Sequence, residues 1–207
     1  MGSAGQALGR PFVIAIAGGS GSGKTLLARS LISALPCASA FLSQDSYYRP
    51  LPACYSTCPE DYNFDHPDAL EWELLARHVE GLLRWQKVDI PRYCLVTHQR
   101  IGSDRLEPAS FLVLEGTLIL HDPRLVQVAD FRVFLDVDAD IRLLRRILRD
   151  TKERGRSLDS VLEQYVRTVR PMFDRFVIPT REKADLVLTD AAVEEWTRRV
   201  LERIRLR

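Results

Sequence analysis

The run Gly18, Gly19, Ser20, Gly21, Ser22, Gly23, Lys24, Thr25 fits the pattern G-x-x-x-x-G-K-[ST]. It follows an apolar stretch, Phe12 to Ala17, and opens a helix-like one, Lys24 to Leu35. These residue types suit the cradling of a phosphate. Glycines let backbone N–H groups turn inward around the oxygens, and the helix behind them aims the positive end of its dipole at the same anion. Lys24 is placed to reach the β- and γ-phosphates. Thr25 offers a hydroxyl to a magnesium ion, which in such sites keeps several waters and shares its remaining positions with the phosphates.

Other groups could complete a phosphoryl transfer. The apolar run Phe111 to Leu114 ends in Glu115-Gly116, so a buried strand delivers a carboxylate to its C-terminal tip, where ligands bind in open α/β sheets. Glu115 is therefore the second expected magnesium ligand. Asp45, in Leu42-Ser43-Gln44-Asp45-Ser46-Tyr47-Tyr48, leaves the next apolar run at the same edge. It suits a base that receives the proton of an attacking hydroxyl, and Asp at a loop start is also an ordinary turn residue. Arg142, Arg145, Arg146 and Arg149 lead into Arg154-Gly155-Arg156, an arginine-bearing lid over about 149–157 that could neutralise charge during transfer. Basic residues late in a helix also complement its macrodipole. In Tyr62-Asn63-Phe64-Asp65-His66-Pro67-Asp68 an aromatic ring beside a carboxylate can hold a planar base or a ribose diol, or simply start a helix.

Positioning these groups requires strands that alternate with helices. Short apolar runs at Phe12 to Ala17, Ala40 to Leu42, Phe111 to Leu114, Phe131 to Val137 and Ala184 to Leu188 predict five strands. Helical periodicity predicts helices over Lys24 to Leu35, Asp68 to Trp85, Ala139 to Asp150, Leu158 to Phe176 and Ala192 to Arg205. The alternation implies an α/β fold, a doubly wound parallel sheet of about five strands flanked by helices. Val88 to Arg105 interrupts the alternation and reads as a β-hairpin insertion over the sheet, within one domain spanning 11–207. Residues 1–10, small and polar, read as a flexible tail.

Composition narrows the partners. The 207 residues include 29 Lys plus Arg against 28 Asp plus Glu, and a net charge of +1 makes no electrostatic case for a nucleic acid or a membrane surface. Four cysteines, Cys37, Cys54, Cys58 and Cys94, lack the density of a disulfide scaffold and the paired spacing of a structural zinc site, so they read as free thiols in a reducing compartment. The first ten residues carry no basic signal-peptide region, and Pro11 to Ala17 is far too short to span a bilayer. A soluble, cytoplasmic protein is expected.

Taken together the motifs resemble the uridine kinase (uridine/cytidine kinase) family of P-loop phosphotransferases, over about Pro11 to Leu188. The strings that carry the resemblance are the glycine-rich loop, Ser43-Gln44-Asp45-Ser46-Tyr47-Tyr48, Asn63-Phe64-Asp65-His66-Pro67-Asp68-Ala69, Leu114-Glu115-Gly116, Asp136-Val137-Asp138-Ala139-Asp140, Arg145-Arg146, Arg149-Asp150, Glu153-Arg154-Gly155-Arg156, and Pro179-Thr180 before Ala184-Asp185. The resemblance implies a P-loop NTPase-type sheet and transfer of the γ-phosphoryl of ATP, or GTP, to the 5′-hydroxyl of uridine or cytidine with magnesium. It also implies that Asp45 is the general base, that Asp65 grips the ribose hydroxyls and that Tyr93 and His98 border the pyrimidine beside Tyr48 and Phe64. Arg146, Arg156 and Gln164 then line the nucleoside side, and Arg149 and Arg154 face the ATP phosphates with the loop 18–25. A homotetramer is implied as well.

The chain departs from the family pattern twice. Tyr93 is followed by Cys94-Leu95 where the family has aspartate and phenylalanine, which reduces the aromatic contact to the base. After Leu188 comes Thr189-Asp190-Ala191-Ala192 in place of proline, arginine, glycine, and this leaves the adenine side unassigned. A guanine-nucleotide switch would carry Asn-Lys-x-Asp, but Asn63, the chain's single asparagine, precedes Phe64. A sister kinase acting on ribulose 5-phosphate or pantothenate shares the cradle and is the nearer alternative.

Overall fold

The strongly apolar runs form the five parallel strands of one sheet in a computed structural model that describes residues 9–55 and 57–205. They are β1 (Phe12–Gly18), β2 (Ser39–Ser43), β5 (Phe111–Glu115), β6 (Phe131–Leu135) and β7 (Leu186–Leu188), in the order β2-β5-β1-β6-β7. Between them β3 (Val88–Cys94) and β4 (Gln99–Leu106) pair antiparallel as a separate two-stranded ribbon, the expected hairpin. Register puts Ser43 beside Glu115 and Ile16 beside Glu115, so the tips of β1, β2 and β5 end at one edge.

Alternate side chains of β1 feed two cores. Ile14 and Ile16 pack with Leu27 and Leu31 of α1 (Lys24–Ala34) and with Trp196 and Val200 of α7 (Val193–Arg205). Val13, Ala15 and Ala17 face Leu75, Val79 and Leu82 of α2 (Trp72–Leu83). Burial on both faces explains the near-continuous apolar reading of the strand. Trp196 is fully buried, donates from Nε1 to the Thr189 carbonyl at 2.8 Å, and lies 3.1 Å from where a Cβ on Gly23 would stand. Gly23 has φ +97°, so both conformation and space demand glycine there.

Two helices differ from expectation. The segment expected as one helix over Asp68 to Trp85 begins with a single turn at Pro67–Ala69, where His66 Nδ1 accepts the Asp68 N–H, and α2 starts only at Trp72. Leu70 breaks the helix because its side chain is buried and its backbone bridges to Tyr48. Trp85, at φ 59°, lies beyond the helix end. The helix expected over Leu158 to Phe176 keeps its direction but changes winding. After α5 (Leu158–Gln164) come a π-helical turn at Tyr165–Val169, one α-turn, α6 (Arg170–Met172), a second π turn at Phe173–Val177, and 3₁₀ turns at Ile178–Lys183. Pro171 sits inside this run without an N–H to donate and crowds the preceding turn, and wider winding relieves both.

Two further helices complete the order. α3 (Pro123–Val128), not anticipated from periodicity, is started by Asp122, whose Oδ1 accepts the Arg124 N–H at 2.8 Å, with Pro123 in its first turn. α4 (Ala139–Lys152) carries the arginines. Of the expected tail, residues 1–8 lie outside the described residues, while Arg10 is tied to Asp130 at 2.6 Å.

Candidate active site

At the carboxyl edge of the sheet the glycine loop turns tightly on itself. The Gly19 carbonyl accepts the Ser22 N–H at 3.1 Å and the Lys24 ammonium at 3.0 Å. Lys24 is buried, and burial holds its pKa below the usual lysine range although Glu115 and Asp45 draw it back up. The Ser22 side chain points under the loop, fully buried, and Gly18 leaves the room it occupies against Leu135. Glu115 accepts from Ser43 Oγ at 2.6 Å, and the Thr25 hydroxyl stands beside it and favours its charged form. Burial, then the Asp45 carboxylate, push the Glu115 pKa up. Gln44, buried behind these groups, accepts the Leu118 N–H at 2.9 Å and so ties the tip of β2 to the loop after β5.

Across the cleft stands a wall of aromatic and polar groups. His98 lies in the hairpin turn at φ 55°, its ring stacked on Phe64 with centroids 4.4 Å apart, and its Nδ1 is buried with no hydrogen-bond partner. Burial, with the charges of Arg156 and Arg154, lowers its pKa and keeps the imidazole neutral. Asp65 accepts from Thr168 Oγ1 at 2.8 Å, and the Asn63 side chain accepts the Asp65 N–H at 3.1 Å. Burial raises the Asp65 pKa, opposed by Arg146 and by the Thr168 hydrogen bond. Tyr48 packs between Phe64 and Tyr93, and burial, reinforced by Asp45 and Asp65, raises its phenol well above the ordinary value.

The arginines divide into groups that the sequence did not separate. Arg142, expected with the lid, is buried instead under the glycine loop. Its Nε donates to the Val137 carbonyl at 3.0 Å and its guanidinium covers the Phe173 ring at 4.0 Å. Arg145 pairs with Asp190 at 3.0 Å, away from the cleft. Arg146, Arg149, Arg154 and Arg156 face the cleft and converge on the fully buried Asp150. Gly155, at φ 65°, makes the turn that brings the last two back onto it.

A cleft of about 280 Å³ joins these parts: Ser20, Lys24, Thr25, Glu115 and Asp45 line one end, and Tyr48, Phe64, Asp65, His98 and Gln164 the other. Tyr93 does not reach the cleft; it stands behind Tyr48 with its hydroxyl buried and unpartnered. Thr168 is absent from the motifs, and Ser43, Asn63 and Asp150 stand in them without a role of their own, because each acts by holding another residue of the site. A hydroxyl on Thr25 beside the Glu115 carboxylate, with open cleft in front, is an oxygen donor set suited to a hard cation that retains water and takes phosphate oxygens. The residues fit magnesium.

A parallel sheet with a glycine loop at its carboxyl edge, a lysine folded into that loop and arginines facing it defines a P-loop phosphotransferase. The model of the phosphoribulokinase / uridine kinase family matches residues 13–195, and the chain belongs to that family. It is 43% identical over 183 residues to the uridine kinase of Streptococcus mutans, covering 87% of this chain and 88% of that one. It is 44% identical over 184 residues to the uridine kinase of Geobacillus kaustophilus, covering 87% of each. Among solved structures, phosphoribulokinase from Rhodobacter spheroides superposes with a TM-score of 0.65 at 12% identity, over 88% of this chain and 71% of that one. The last comparison bears on the fold alone.

Proposed function

We propose that this chain is a nucleoside kinase that transfers the γ-phosphoryl of ATP to the 5′-hydroxyl of uridine and cytidine, giving UMP and CMP. One observation carries the reading: Asp45 lies in the same cleft as Lys24 and Thr25 at one end and the Phe64–His98 stack with Asp65 at the other. The similarity to two uridine kinases above 40% identity over most of the chain supports it.

In this reading the loop 18–25 holds the phosphates through backbone N–H groups, and Lys24 follows the charge that develops on the β- and γ-oxygens. Thr25 and Glu115 would hold magnesium, which would supply further charge neutralisation there. Asp65 takes the ribose hydroxyls, Asp45 orients the 5′-hydroxyl and accepts its proton late, and the planar base lies against the aromatic wall bordered by His98, with Tyr48, Tyr93 and Phe64 shaping it. Arg146, Arg156 and Gln164 belong to the nucleoside side, Arg149 and Arg154 to the phosphate side. The stacked rings favour a base-bearing acceptor over an open-chain sugar phosphate.

No described helix is long and apolar enough to cross a membrane. We read the enzyme as cytoplasmic, serving pyrimidine salvage, and tetrameric. Leu144, Leu148, Leu158, Leu162 and Val166, all exposed on α4, α5 and the turn that follows, give an assembly apolar surface to bury. Chromatography of products from an acceptor panel with ATP, GTP and magnesium tests the central reading. UMP and CMP are expected; phosphorylation of ribulose 5-phosphate or pantothenate with neither nucleotide formed overturns it.

A further inference from the structure

One buried carboxylate behind the cleft is not used by the reaction above, and it meets arginines of both halves of the machinery. Asp150 is fully buried at the end of α4, where its Oδ1 accepts from Arg149 Nε at 2.8 Å and lies 3.4 Å from Arg154. Its Oδ2 lies 3.4 Å from Arg146 Nε and 4.0 Å from Arg156. Burial alone would raise this carboxyl, but the Arg149 hydrogen bond and the surrounding guanidinium charges hold it below the ordinary value, so it is ionised. One negative charge is thus divided among four cations. The two on Oδ1 are those assigned to the phosphates and the two on Oδ2 are those assigned to the nucleoside.

The division is uneven. Arg149 makes a full hydrogen bond, whereas Arg146 Nε and Asp150 Oδ2 are both buried, face each other, and have no hydrogen-bond partner. At 3.4 Å they are a few tenths of an ångström beyond the usual limit of about 3.2 Å. Arg146 is in turn anchored at both ends of the cleft: Nη1 donates to Ser20 Oγ of the glycine loop at 2.9 Å, and Nη2 to Gln164 Oε1 at 2.7 Å, an oxygen that also accepts from Arg156.

We propose that Asp150 is a positioning residue that couples the two substrate sites: phosphates that draw Arg149 and Arg154 away from Oδ1 release its charge to Oδ2, where Arg146 closes its hydrogen bond and sets Gln164 and Arg156 for the nucleoside. The proposal rests on the nucleoside kinase reading. Linkage requires that the effect be reciprocal, so the nucleoside tightens ATP by the same factor.

Calorimetric titration of uridine, with and without a saturating non-hydrolysable imido analogue of ATP and magnesium, reads the coupling directly. In the wild type the analogue tightens uridine by about fivefold or more, the low end of ordinary coupling. In Asp150→Asn that ratio falls to within twofold of one, with kcat reduced at least tenfold. A variant that merely loses stability lowers Tm but keeps the ratio, and that result overturns the proposal, as does a wild type without coupling. A measurement on the wild type covers the case in which Asp150→Asn does not fold. In protein labelled with ¹⁵N-arginine, the analogue alone should slow solvent exchange of the Arg146 Nε–H at least tenfold, and unchanged exchange overturns the proposal. Uridine turnover by the wild type is scored separately, so failure of the functional reading is distinguished from failure of the coupling.

Discussion

The phosphate half of the cleft comes from one continuous segment, 18–25, closed by the tips of β2 and β5, whereas the acceptor half gathers Tyr48, Phe64, Asp65 and His98 from separate irregular segments and Arg146 and Gln164 from α4 and α5. In the first half backbone geometry does the work: the loop's curvature, the start of α1 and the strand register fix where N–H groups and two carboxylates stand. In the second half side chains hold one another, Thr168 on Asp65, Phe64 under His98, Gln164 between Arg146 and Arg156. A site made by backbone tolerates side-chain loss except at the reacting groups. A site made by side chains loses specificity piece by piece.

The largest effect is therefore expected at the junction of the halves. Asp45→Asn removes the proton acceptor and should lower kcat by about two to four orders of magnitude, with uridine affinity little changed. Steady-state kinetics beside calorimetry measures both, and near wild-type turnover would remove Asp45 from the mechanism.

On the acceptor side His98 should matter to one substrate only. Its φ of 55° makes asparagine, which tolerates the left-handed region, a cleaner replacement than leucine. His98→Asn removes the stack on Phe64 and leaves a base-edge group unpaired, so kcat/KM for nucleosides should fall by about 1–3 kcal/mol, roughly 5- to 150-fold. The KM for ATP should stay within about twofold. Equal damage to both substrates would show that His98 only shapes the turn, where its N–H donates to the Cys94 carbonyl and its own carbonyl accepts from Leu51.

Thr168→Val is a smaller test of the same half. It keeps the shape and deletes the hydroxyl that donates to Asp65 at 2.8 Å. A hydrogen bond to a charged group contributes about 1.5–3 kcal/mol at most, and here part of it is recovered when ribose hydroxyls take its place. The nucleoside KM should rise several-fold with kcat nearly unchanged. A selective loss of kcat would mean that Thr168 serves the chemistry instead of ribose binding.

The contrast also explains what was legible in the chain. The glycine loop, Glu115 and Asp45 could be read from local pattern because a strand followed by a glycine turn and a helix fixes their geometry within a few residues. The five strands could be read because burial on both faces leaves long apolar runs. The winding change in 158–183 was not legible, since Pro171 can kink, break or widen a helix and periodicity does not choose. Arg142 and Arg146 lie one turn apart on α4, yet Arg142 supports the loop from beneath and Arg146 faces the cleft. That division follows from Phe173 meeting Arg142, and Ser20 and Gln164 meeting Arg146, all approaching from other elements, which spacing along α4 cannot convey. Thr168 has no role legible in the sequence for the same reason, since its partner Asp65 lies 103 residues away along the chain.

The smallest expected effect lies in neither half and so serves as the reference for both. Asp122 starts α3, accepts the Arg124 N–H at 2.8 Å, and forms a two-point ion pair with the Arg124 guanidinium at 2.7 and 3.1 Å. Burial works against its charged form, but these hydrogen bonds hold its pKa below the ordinary aspartate value. A carboxyl depressed on folding stabilises the protein above its unfolded pKa, near 3.9, and loses that contribution as pH falls through the lower folded value. Asp122→Ala should therefore cost about 1 kcal/mol at neutral pH, a drop in Tm of roughly 2–4 °C for a chain of this size. Thermal melts from pH 7 downward should show the gap between wild type and variant narrowing below about pH 4, with uridine and ATP parameters unchanged at neutral pH. A gap that holds constant into the acid range would mean that Asp122 contributes shape and not charge. A change in either KM would mean that the loop after β5 reaches the cleft more strongly than Gln44 and Glu115 account for.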